Sequence, residues 1–134
     1  MKHDERGAVA VEFAILLPLL LMLVLGTIEF GRAYNARVTL TNAARDGVRV
    51  MAITTNNVVA AKTAAANAAA SVSSSITPSN VTVEVCTSAS SCAPVTACNP
   101  KDQVTLTISY TLSTITGIAG PFKMKGLGVM LCGG

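Results

Sequence analysis

The sequence predicts an α+β protein. A long N-terminal helix crosses a membrane, continues as a soluble helix and packs against a small antiparallel sheet. Three observations predict it. Residues 8–28 form an apolar run whose one charge is Glu12. Residues 32–54 keep an apolar stripe at three-to-four spacing, through Ala36, Leu40, Ala43, Gly47 and Val50 or Met51. After Pro78 the period drops to two, most clearly in "QVTLTISYTL", residues 103–112.

The apolar run matches the roughly 20 residues that a helix needs to cross a bilayer. It divides the chain into a short leader at 1–7, a span at 8–30, a helical stalk at 31–75 and a small β-rich domain at 76–134. Composition agrees with that division. The chain is 51% hydrophobic, 4% aromatic and 13% charged, with a formal net charge of +3 and no basic cluster. Arg32, Arg37, Arg45 and Arg49 are too sparsely spaced to track a phosphate backbone, which argues against nucleic acid as a partner.

The front end admits several readings. A cleaved secretory signal would free a soluble domain, but "MKHDERG" mixes two basic with two acidic residues, the apolar run is too long, and no Ala-x-Ala site follows it. An uncleaved anchor fits the length but leaves Glu12 unexplained. Charge bias does not orient it, since Lys2 and Arg6 on one side face Arg32 and Arg37 on the other. A span limited to residues 13–28 would leave Glu12 among the headgroups. A cut between Gly7 and Ala8 would create an ammonium group one helical turn before Glu12. A carboxylate in hydrocarbon costs about 3 kcal/mol on insertion scales. The helix N-terminus favours it, and an amine from the same or a neighbouring chain would offset much of the rest. In that reading Glu12 belongs to an assembly of such helices.

The ordered string "RGAVAVEFAILLPLLLMLVLGTIEFGRAYNARVTLTNAARDGVRVMA", residues 6–52, resembles the TadE-like family, the pseudopilins of tight-adherence pilus machinery. The leader, the Gly, and Glu12 at the fifth position after it resemble the class III signal of type IV pilin-like proteins. The resemblance implies a pilin-like fold and a non-catalytic subunit or assembly factor. It implies removal of the leader by a prepilin peptidase between Gly7 and Ala8. Glu12, Phe13 and Pro18 would serve assembly. The location would be the bacterial inner membrane, single-pass, with the C-terminal part exported and pilus association an open outcome. Partners would be the peptidase, other pilin-like subunits and inner-membrane pilus assembly proteins. In that setting the Asn80 sequon "NVT" is discounted as a glycosylation site.

Pro18 removes a hydrogen bond inside the apolar helix and tends to kink it. The small residues Ala43, Ala44 and Gly47 admit close approach, either by a partner helix or by the protein's own sheet. The alanine-rich 56–70 stretch favours helix. Unbroken helix from 8 to 70 would reach about 95 Å, whereas a break at Asn56-Asn57 would fold the second half back. The 71–75 serine run and Pro78 end it. Strands are expected at 80–85 and 103–112, paired antiparallel with their apolar face on the helix. A last edge strand in "KGLGVMLC" would bring Cys132 near the loop between them.

Cys86, Cys92, Cys98 and Cys132 all follow the apolar run. Their even number on the exported side points to disulfides, with three complete pairings open. The six-residue spacing does not suit zinc, and no C-x-x-C is present. No metal, cofactor or catalytic set is expected. His3 is the one histidine, and Glu29, Asp46, Glu84 and Asp102 show no acid–base pairing pattern. A rival reading is a membrane-tethered exported binding module whose cysteine-stapled loop is the recognition surface. Intact mass of the membrane-extracted protein is expected to show loss of residues 1–7; a mature chain that still begins at Met1 refutes the processing.

Overall fold

The computed structural model describes residues 4–54, 57–88, 91–94, 98–117 and 120–133. The first three leader residues, His3 among them, and Asn56 lie outside the described residues. One helix, α1, runs from Asp4 to Ile53, a length of about 75 Å. It passes through Gly7 and Pro18 without a break. Threonines along it turn their hydroxyls back onto the preceding turn, as Thr27 does to the Val24 carbonyl at 2.8 Å and Thr41 to Arg37 at 2.9 Å.

The helix does not continue to residue 70. Asn57 begins a second helix, α2 (Val58–Ala69), its Oδ1 accepting from the Ala60 backbone N–H at 3.0 Å. A cap of this kind fixes a helix start, so the chain reverses here and α2 lies back along α1. Gly47 sits against Ala61 and Ala65, while Ala36 shares a cleft with Ser71 and Val72 farther along. The two helices are therefore antiparallel. The small residues 43, 44 and 47 are consumed inside the molecule rather than left for a partner helix.

Four strands follow, β1 (Val81–Ser88), β2 (Ser91–Pro94), β3 (Gln103–Leu112) and β4 (Phe122–Leu131), in the order β2-β1-β3-β4, all neighbours antiparallel. The expected strand at 103–112 and its pairing with β1 are observed. β4 starts earlier than "KGLGVMLC" and is a full-length neighbour of β3. β2 falls in what reads from sequence as a polar loop. Its register sets Cys92 directly opposite Cys86, and the disulfide between them closes the hairpin, with Cα atoms 4.0 Å apart.

Val104, Leu106 and Ile108 of β3 and Val81, Val83 and Val85 of β1 turn to the helices, where they share a core with Leu40, Ala44, Val48 and Met51 of α1 and the alanines of α2. Full burial of a Leu, Ile or Met side chain contributes roughly 1.5–3 kcal/mol. The sheet's other face carries Thr105, Thr107, Ser109 and Thr111, as the alternation predicts.

β4 meets α1 backbone to backbone. A Cβ on Gly126 would fall on the Leu40 carbonyl, and one on Gly128 on the Ala44 carbonyl. Two strand residues advance about 6.8 Å and four helical residues about 6 Å. Matching Gly126 to Leu40 and Gly128 to Ala44 therefore makes β4 run alongside α1 in the same direction. The β3–β4 connection then lies at the end of the sheet nearest the apolar run. Replacing Gly126 with Ala is expected to cost about 3 kcal/mol, because backbone rather than a yielding side chain occupies the space. Urea denaturation measures it, and an unchanged midpoint refutes the backbone contact.

Candidate functional site: the apolar half of α1 and its exit

From Val9 to Ile28 the large apolar side chains of α1 are all exposed; Leu19, for example, is 65% exposed. Helix and sheet cover none of them. So long an exposed apolar surface marks contact with lipid or with other chains. This is the one helix among the described residues that is long and apolar enough to cross a membrane.

The sequence-derived site residues lie along this half. Gly7 and Ala8 are exposed within the helix, and a side chain at Gly7 would meet nothing within 4 Å. Packing within the chain therefore does not call for glycine there, although glycine costs a helix interior about 1 kcal/mol relative to alanine. Glu12 is exposed and has no ionic or hydrogen-bonding partner among the described residues. Phe13, directly after it, is 66% exposed. With Leu16, Leu17, Leu20 and Leu23 it shapes a shallow apolar surface of about 410 Å³ on one side of the helix. Pro18 is on another side and begins a groove of about 360 Å³ that continues through Leu21, Met22, Leu25 and Gly26 to Glu29 and Thr116. Glu12, Phe13 and Pro18 are thus close along the helix without forming a single cluster.

Sequence reasoning missed Glu29. It is 7% exposed, the one buried charged residue described. Its Oε1 accepts from both the backbone N–H and the hydroxyl of Thr116, each at 2.9 Å. A carboxylate accepting two donors is well satisfied, and charged acceptors make the stronger hydrogen bonds. The bond joins residues 87 apart in sequence and ties the β3–β4 connection to the point where α1 leaves its apolar run. The available signal was position: Glu29 directly follows Ile28, where an acid needs a partner.

The cysteines lie at the opposite end of the sheet. Cys98 bonds Cys132, with Cα atoms 5.6 Å apart, and Cys86 bonds Cys92. The Cys132 N–H also donates to the Asp102 carbonyl at 2.8 Å, and its own carbonyl accepts from Lys101 at 3.3 Å. The end of β4 is thereby fastened to the start of β3. Of the three pairings open from sequence, the tertiary structure selects this one, and no cysteine is free. Among the described residues no His, Cys, Asp or Glu group is arranged to hold a metal.

A single exposed apolar helix, joined without a break to a disulfide-stapled α+β head, defines a candidate single-span membrane protein. Residues 7–49 match the family model of the TadE-like proteins, a stretch of about a third of the chain that lies wholly within α1. No curated protein and no solved structure matches the chain.

Replacing Glu29 with Ala removes the acceptor for both Thr116 donors. It is expected to speed proteolysis in the connection after β3 about tenfold, because both Thr116 donors lose a charged acceptor. Glu29→Gln keeps an acceptor oxygen and is expected to preserve most of the protection. Equal cleavage of all three proteins refutes the clamp.

Proposed function

We propose that this protein is a non-catalytic pilin-like subunit or assembly factor of tight-adherence pili, cut between Gly7 and Ala8 by a prepilin peptidase and assembled through the apolar half of α1. The observation that carries the reading is Glu12. It is an exposed acid with no partner among the described residues, on a helix whose apolar side chains are also exposed. Such a group is costly in hydrocarbon unless an opposite charge meets it. The cut supplies that charge, as an ammonium at residue 8, and neighbouring copies carry the same pair.

Three further observations support the reading. The family match spans the segment that holds Gly7, Ala8, Glu12, Phe13 and Pro18. Gly7 serves no packing role in the folded chain, which suits a residue selected by a protease pocket that admits little bulk. The head is tied to the helix exit by Glu29, leaving the apolar half clear for lipid and partner helices. In this reading the helix spans the bacterial inner membrane and the disulfide-bonded head is exported, the side on which such bonds persist.

Two variants separate processing from assembly. Gly7→Leu is expected to leave the leader in place, read as the unprocessed mass. Glu12→Ala is expected to be processed but to lose co-purification with pilus subunits by at least tenfold. Normal co-purification of E12A overturns the charge-pairing role. If changes confined to the β1–β2 hairpin abolish function while E12A is silent, the tethered binding module replaces this reading.

A further inference from the structure

β3 is longer than its neighbour β1. The first β1 residue, Val81, pairs with Ile108, so residues 109–112 have no β1 strand beside them. The other side of this stretch pairs with β4, Ser109 opposite Lys125 and Thr111 opposite Lys123. The result is a notch of about 430 Å³ whose lining includes Lys123, Lys125, Ser75, Asn80, Ser109 and Thr111, beside Tyr110 and Met124. Its polar side chains are two ammonium groups, hydroxyls and an amide, with no carboxylate. The Asn80 amide oxygen accepts from the Thr77 N–H at 3.0 Å and from its hydroxyl at 3.1 Å, which leaves the amide N–H₂ as the group to offer. A concave surface of donors around two cations suits an oxyanion.

Its height on the molecule indicates where the anion comes from. Gly126 is level with Leu40, and Leu40 stands about 18 Å beyond Ile28 along α1. Counting back along β4 puts Lys123 about 8 Å and Lys125 about 15 Å beyond the last residue of the apolar run. A headgroup layer is about 5–7 Å thick on each side of the hydrocarbon, and lysine stems extend the ammonium groups toward it. Exposed Arg32 and Arg37 stand at the same end of α1. The acid at that level, Glu29, is occupied by Thr116. The head's other acids, Asp46, Glu84 and Asp102, are all beyond the level of Gly128. The end of the head that faces the membrane is therefore basic, and the Glu29 clamp holds it down.

We infer that the Lys123–Lys125 notch binds the phosphate of an anionic lipid headgroup in the leaflet from which α1 emerges. The inference rests on α1 spanning the membrane, and not on processing or pilus assembly. Bound there, a headgroup would fix the rotation of the head about α1 relative to the bilayer plane, and so the faces that neighbouring subunits meet.

The test uses the full chain in nanodiscs of phosphatidylcholine alone or mixed with phosphatidylglycerol. Native mass spectrometry reads retained lipid, and amide exchange reads residues 109–112 and 122–125. Each lysine near an anionic surface is worth about fivefold in binding, so the pair should favour phosphatidylglycerol by about twenty-five-fold at low salt, less as salt rises. K123A/K125A should abolish the preference and the added exchange protection, whereas K123R/K125R should keep both. Equal retention of the two lipids, or a preference that survives K123A/K125A, overturns the inference. Equal protection by inorganic phosphate in phosphatidylcholine discs also overturns it, since the notch would then take a free anion. A chain that does not enter nanodiscs removes the spanning helix and this inference together, while entry without lipid preference removes the inference alone.

Discussion

Gly126 and Gly128 of β4 lie directly on the backbone of α1, at Leu40 and Ala44, and the rest of the structure follows from that contact. No side chain separates strand from helix there, and the match of Gly126 to Leu40 and Gly128 to Ala44 sets the strand in the direction of the helix. β3 pairs with β4 along its whole length, and β1 pairs with β3. The sheet is thus built upward along the half of α1 that lies beyond the apolar run. The same alignment sends the β3–β4 connection to the exit of α1, where Glu29 receives Thr116. It sends the end of β4 to the far pole, where Cys132 meets Cys98.

This arrangement divides one helix between two environments. The half beyond Glu29 is covered by α2 and the sheet through Ala36, Leu40, Ala43, Ala44, Val48 and Met51. Among the described residues, nothing covers the large apolar side chains of the half before it. The change occurs within about one turn and coincides with the one buried charge described. A carboxylate with two donors is an economical marker for such a boundary, since the polar group is satisfied and the loop it holds closes the base of the head. Glu12, by contrast, is exposed and has no partner among the described residues. Glu12 and Glu29 of α1 therefore have opposite roles, one intermolecular in the proposed function and one internal.

Much of this was legible in the sequence. The apolar run, the stripe through Leu40 and Gly47, and the alternation from Val104 to Leu112 each impose a period that only one kind of element satisfies. The break near residue 57 was legible only as an alternative, because alanine-rich sequence favours helix on both sides and the deciding event is a single side-chain cap from Asn57. The β2 strand was not legible. Four residues between turns carry no period, and pairing with β1 across a disulfide makes the strand. The pair Glu29–Thr116 was invisible for a related reason: each residue is ordinary by itself, and they meet only after the sheet has been laid on the helix.

The sequence alone determined the long first helix and the strands β1 and β3, because local periodicity and turn residues act over a few neighbours. It also determined the candidate span, because the length of an apolar run is compared directly with the thickness of a bilayer. Tertiary structure alone decided which cysteines join, which glutamate is internal, and which small residues face inward. Those outcomes depend on the position of β4 along α1, fixed by two glycines that allow backbone to touch backbone, and such a contact leaves no period in the chain to read.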